Sequence, residues 1–283
     1  MAIFDQAVNQ WLLSLMTSTA LFKVAAFFSA WATLWLPLAI PIAIWLKWRP
    51  PKPMAAEQKL PLLVALYLIA PLILWGASWL DGASFSDYGL GWKLSVLVSV
   101  GLGLGLGILS LTIIFIGQWT LGWVEWHWEN WQRLGQVLLP VLLLGLWISV
   151  TEELVFRGFL LNELSQDYSV WVAAAISSII FAFLHLIWEQ QDTLPQLPGL
   201  WLMGMVLVLA RWVDDGSLGL AWGLHAGWIW GLTCLDSSQL VSYTGKGPIW
   251  MTGLGQKPLA GGAGLICLVI TGILLQWFLA GKV

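Results

Sequence analysis

The chain has 283 residues, of which 59% are hydrophobic and only 10% charged, and its mean hydropathy is +0.82. A soluble domain of this length needs far more charge to cover its surface, so soluble function classes are excluded and a lipid bilayer becomes the first partner. A net charge of −3 gives no reason to expect nucleic acid.

The length accommodates about eight spans of ~20 residues with short loops. The expectation is an all-α polytopic transmembrane helix bundle, one integral membrane domain over residues 1–283. The opening residues, MAIFDQAVNQ, lack the basic start of a secretory signal, so no cleaved leader is expected. Residues 4–17 read as a short amphipathic helix at the interface. The first span covers about 21–46, where Pro37 and Pro41 predict a kink. A linker rich in proline and positive charge, Lys47–Lys59, follows.

Spans two and three cover about 60–80 and 93–117. The third carries Gly101, Gly103, Gly105 and Gly107, whose i, i+4 spacing lets helix backbones approach closely in lipid. Because no strand precedes them, a nucleotide loop is the poorer reading. Residues 118–135 mix five tryptophans with Glu125, His127, Glu129 and Arg133, which predicts a helix lying among the headgroups with His127 solvated.

The remaining spans cover about 137–164, 169–188, 199–213, 217–235 and 262–280. The 236–261 connection, with Gly245, Gly247, Gly253 and Gly255, reads as a flexible surface loop. Many of the 23 tryptophans fall near span ends, as an aromatic belt places them. The Lys and Arg bias puts the 47–59 linker in the cytoplasm and both termini outside. Cys234 and Cys267 have no CxxC spacing and read as small buried apolar residues.

An ionisable side chain at membrane depth costs at least ~2.5–3.5 kcal/mol on insertion scales, so it needs a partner or a task. Span four contains Glu152, Glu153 and Arg157. Glu153 and Arg157 are i, i+4 neighbours able to pair, while Glu152 points about 100° away, free of that pair. Span five supplies His185 and span seven His225, and the bundle interior is their common location. A carboxylate and two histidines can activate water: the carboxylate takes a proton, one imidazole positions the water or binds Zn2+, and the other steadies an oxyanion. An ion-paired network that only fixes helix packing is the alternative.

These residues resemble the CAAX protease and bacteriocin-processing family, which includes the type II CAAX prenyl endopeptidases. The EExxxR motif is matched by Glu152, Glu153 and Arg157, and FxxxH by Phe181 and His185. His225 stands in the place of the HxxxN histidine. The motif-bearing core is about 137–235. The resemblance implies a hydrolase, an intramembrane endopeptidase acting on a membrane-associated or prenylated-type peptide in a bacterial plasma membrane or comparable inner membrane. Glu152 would be the general base, His185 the co-ligand of the water and His225 the oxyanion stabiliser. Glu153 and Arg157 would organise the site, and Phe181 would pack beside His185.

The family has been described both as metalloproteases and as metal-free glutamate proteases. A Zn2+ would fall to Glu152, Glu153, His185 and His225, although no HExxH is present. The metal-free form is the preferred expectation. One departure stands out: Ile229 occupies the position of the prenyl-protease asparagine. His225 then acts with another donor, the substrate is not a prenylated tail, or proteolysis has been lost. A non-catalytic membrane scaffold, and after it a proton-coupled transporter, are the rival readings.

Overall fold

Apolar runs in lipid satisfy their backbone N–H and C=O groups by forming helices or closed barrels, and this chain forms helices. Its structure, a computed structural model, describes residue 14 and residues 17–49, 52, 54–188 and 190–281. The amphipathic helix expected over 4–17 lies almost wholly outside the described residues. The principal helices are α1 (Ala20–Trp45), α2 (Ala56–Asp81), α3 (Leu94–Thr120), α4 (Trp131–Glu153) and α5 (Leu161–Asp167). They continue as α6 (Val170–Leu184), α7 (Leu197–Val213), α8 (Gly219–Ser237) and α9 (Gly262–Ala280). A π-helical segment, Leu154–Leu160, joins α4 to α5.

Among the described residues, 7 helical stretches are long and apolar enough to cross a membrane, including a 40-residue stretch through α4, the π segment and α5. The all-α polytopic bundle is present, one span short of the eight expected. The difference is α8, whose tryptophans, glycines and His225 lower its hydropathy. It packs along both α3 and α4, so protein covers much of it and its side chains need not suit lipid.

Glycine makes that packing close. A Cβ on Gly107 would sit 2.8 Å from the Leu224 carbonyl oxygen, and one on Gly227 2.7 Å from that of Leu104. Gly103 and Gly223 likewise meet the backbone of the facing helix. Only half of the expected glycine pattern is used, for Gly101 and Gly105 meet nothing within 4 Å and are exposed. The α3–α8 contact holds the helix that carries His225. On the other side, α1 and α2 are tied by the Trp31 and Trp35 indoles, which donate to the Leu66 and Leu62 carbonyls at 3.0 and 3.3 Å.

Two expectations are corrected. Residues 118–135 are not an interfacial helix. After α3, Gly122 takes a φ of 71°, and β1 (Val124–Trp126) pairs antiparallel with β2 (Val241–Tyr243). Both strands are rich in valine and aromatic residues, which suit a pleated surface, but the partner is too distant in sequence for a local reading to find. The 236–261 connection is correspondingly no featureless loop. It contains β2 and helical turns at Ile249–Thr252, Leu254–Gln256 and Pro258–Ala260. His127 lies beside this ribbon, half-buried, with Nε2 2.7 Å from Ser242 Oγ. Cys234 and Cys267 are buried free thiols, as expected.

Candidate active site

The two carboxylates end α4 next to each other, so the helical rotation of about 100° per residue aims them at different neighbours. Glu153 is fully buried, as is Arg157. Its Oε1 accepts from Arg157 Nη1 at 3.1 Å and from His225 Nδ1 at 2.8 Å. A carboxylate in an ion pair only accepts hydrogen bonds, so His225 carries its proton on Nδ1 and turns Nε2 toward Glu152. Nε2 lies 3.6 Å from Glu152 Oε2.

Arg157 is held from several sides. Its guanidinium carbon stands 4.4 Å from the centre of the Phe181 ring, close enough for a cation–π contact. Phe181 is fully buried and meets His185 edge-on at 4.7 Å and His225 at 6.0 Å. It therefore lies among three of the motif side chains. The π-helical turn beneath them gives up carbonyls to other helices: Ser177 donates to Phe156 O at 2.7 Å, and Arg211 Nη1 donates to Arg157 O. π segments occur often at functional sites.

Glu152 has a different environment. It lines a cavity of about 300 Å3 with Tyr67, His185, Phe28, Phe156 and Trp188. Tyr67 donates its hydroxyl to Glu152 Oε1, which leaves Oε2 on the His225 side. His185 caps the end of α6, half-buried, and its Nδ1 is 2.8 Å from Phe181 O. A carbonyl only accepts, so Nδ1 carries the proton and the neutral ring keeps a lone pair on Nε2. A water in this cavity would find two acceptors for its protons, Glu152 and His185 Nε2.

The structure thus brings Glu152, Glu153, Arg157 and His225 into one network and places His185 beside Glu152 on a shared cavity. Glu152, read from the sequence as free of the Glu153–Arg157 pair, is faced by both Tyr67 and His225. The four residues named for Zn2+ are not gathered as ligands. Among the described residues, no group of three or more His, Cys, Asp or Glu is placed to hold a metal. Glu153 Oε1 and the Nδ1 atoms of both histidines are engaged elsewhere. Ile229 is half-buried between α8 and α4, with its Cγ2 3.5 Å from where a Cβ on Gly145 would stand.

Tyr67, Arg211 and Ser177 are the members that sequence reasoning missed. Tyr67 and Arg211 were findable in principle, since each is a polar group on an apolar span that needs a partner. A larger cavity, about 760 Å3, opens between α1 and α2 beside Lys23 and Asp81, away from the two histidines.

Residues 134–231 match the family described as type II CAAX prenyl endopeptidase Rce1-like, a segment that holds all three motifs. An uncharacterized 24.3 kDa protein of Escherichia coli is 33% identical over 96 residues, which are 33% of this chain and 42% of that protein. The chain therefore matches less than half the length of this curated relative. No solved structure matches. The resemblance read from the motifs is borne out at the level of the family. Together with the apolar helices, it makes the chain an integral membrane protein.

Proposed function

We propose, from the family match of residues 134–231, that the protein is an intramembrane endopeptidase that hydrolyses a membrane-associated or prenylated-type peptide with a Glu-activated water. The carrying observation is that Glu152 and His185 line one cavity of about 300 Å3, with His225 Nε2 on the far side of the carboxylate. The reaction is metal-free, and the setting is a bacterial plasma membrane or a comparable inner membrane.

Glu152 takes one proton of the water, and His185 Nε2 accepts the other in a hydrogen bond. The hydroxide so formed adds to the scissile carbonyl. His225, steered by Glu153 in the way a buried carboxylate orients the histidine of a catalytic triad, stabilises the oxyanion. Glu152 then gives its proton to the leaving nitrogen as the C–N bond breaks. General acid–base help of this kind contributes about 10²–10⁴ in rate. Arg157 holds Glu153 in place.

Membrane peptides from cells expressing the wild type and Glu152→Gln test the proposal. Peptides that shorten only with the wild type support it. Identical peptide profiles, with both proteins folded and inserted, would select the second reading, a non-catalytic scaffold, for which Ile229 is the motivating observation.

A further inference from the structure

The site lacks a second oxyanion donor where the prenyl proteases carry an asparagine. Ile229 stands at that position, and α8 contains no Asn or Gln to replace it. Donors must come from the cavity that holds Glu152. The Trp31 and Trp35 indoles there are spent on the Leu66 and Leu62 carbonyls, and His185 Nδ1 on Phe181 O. The Tyr67 hydroxyl and the Trp188 indole remain, and of these the phenol is already at the carboxylate. Tyr67 belongs to α2, outside the 134–231 segment matched by the family.

We infer that Tyr67 is a catalytic residue of the proposed peptide hydrolysis, donating its O–H to the oxyanion of the tetrahedral intermediate in place of the asparagine absent at Ile229. The inference rests on the protease reading and adds a residue to it. In the resting site the phenol serves an ionised acceptor, Glu152 Oε1. When Glu152 removes a proton from water, it becomes a neutral acid and a much poorer acceptor. In the same step the negative charge moves to the former carbonyl oxygen of the substrate. The O–H follows the charge and is freed as the oxyanion appears.

Tyr67 itself keeps its proton throughout. Water supplies one proton to Glu152 and hydroxide to the carbonyl carbon, and collapse returns the Glu152 proton to the amide nitrogen. The phenol ring is held edge-on against Trp147 with centroids 6.1 Å apart, so removing the hydroxyl leaves its packing intact.

The test uses the full chain in lipid nanodiscs and an internally quenched peptide ending in an S-farnesylated CAAX tail, with Glu152→Gln as background. Tyr67→Phe is expected to lower kcat by about 10²–10³, the usual cost of one oxyanion donor, with KM within about twofold. A phosphinate analogue of the peptide, a tetrahedral anion mimic, should lose affinity by the same factor. An analogue with an N-methylated scissile amide should bind unchanged.

Wild-type kcat in Tyr67→Phe overturns the assignment. So does a loss of kcat with phosphinate binding intact, which would make Tyr67 a positioning residue for Glu152. Both results leave the protease reading standing. A wild type no faster than Glu152→Gln instead sinks that reading, and this inference with it.

Discussion

The buried charges can be tested by taking them away singly and together. Glu153→Met strands Arg157, which has no solvent exposure, and removes the acceptor of His225 Nδ1 at 2.8 Å. Breaking one side of a buried ion pair costs about 3–5 kcal/mol, because an uncompensated charge remains. The orphaned Nδ1–H adds about 1–3 kcal/mol. The Phe181 ring, 4.4 Å from the guanidinium carbon, makes the same contact in wild type and so offsets none of this.

The single variant should therefore lose about 4–8 kcal/mol, measured by reversible SDS unfolding in bicelles with tryptophan fluorescence. The Glu153→Met, Arg157→Met pair keeps the volume and removes both charges. Relieved of the stranded charge, it should recover most of that loss and lie about 1–3 kcal/mol below wild type, the cost of the His225 Nδ1–H that still has no acceptor. It should nonetheless be inactive, since His225 is no longer steered. A double variant as unstable as Glu153→Met, or a single variant costing under about 1 kcal/mol, would refute the view that Glu153 compensates Arg157.

Other consequences are smaller. Gly223→Ala and Gly227→Ala press a methyl into the α3 backbone and should each cost about 1–3 kcal/mol. Gly101→Ala and Gly105→Ala, which meet nothing, should be neutral or stabilise by up to about 1 kcal/mol through helix propensity. The same unfolding assay separates the two pairs. His185→Ala should lower kcat by about 10²–10⁴ and leave stability nearly unchanged, because the half-buried ring sits at a helix end.

In the loop before α3, Ser84 donates to Asp87 from its N–H at 2.8 Å and its hydroxyl at 2.6 Å, which holds the Asp87 carboxyl below its usual range. The loop contacts this adds are present above the ordinary carboxylate pKa of about 4 and lost as pH falls through the depressed one. Amide exchange over residues 84–89 should accelerate there, and Asp87→Asn should abolish that pH dependence.

The membrane bundle was legible in the sequence because hydropathy sums along a segment and needs no knowledge of neighbours. The Glu153–Arg157 pair was legible for the same reason, since i, i+4 adjacency is a property of one helix. The three motifs placed Glu152, His185 and His225 in a common interior. Neighbours contributed by other helices escaped. Tyr67 is 85 residues from Glu152, and no periodicity within α2 says which carboxylate its hydroxyl will meet.

The pairing of β1 with β2, and the burial of a helix as polar as α8, were hidden in the same way. Each depends on which elements become neighbours in the fold. The sequence by itself determined that charges lie at membrane depth and must be satisfied. The tertiary structure alone decided by whom: His225 by Glu153, Glu152 by Tyr67, and the π-turn carbonyls by Ser177 and Arg211. Hydrogen bonds reach about 3 Å, so a partner is settled only when the helices that carry both groups have docked.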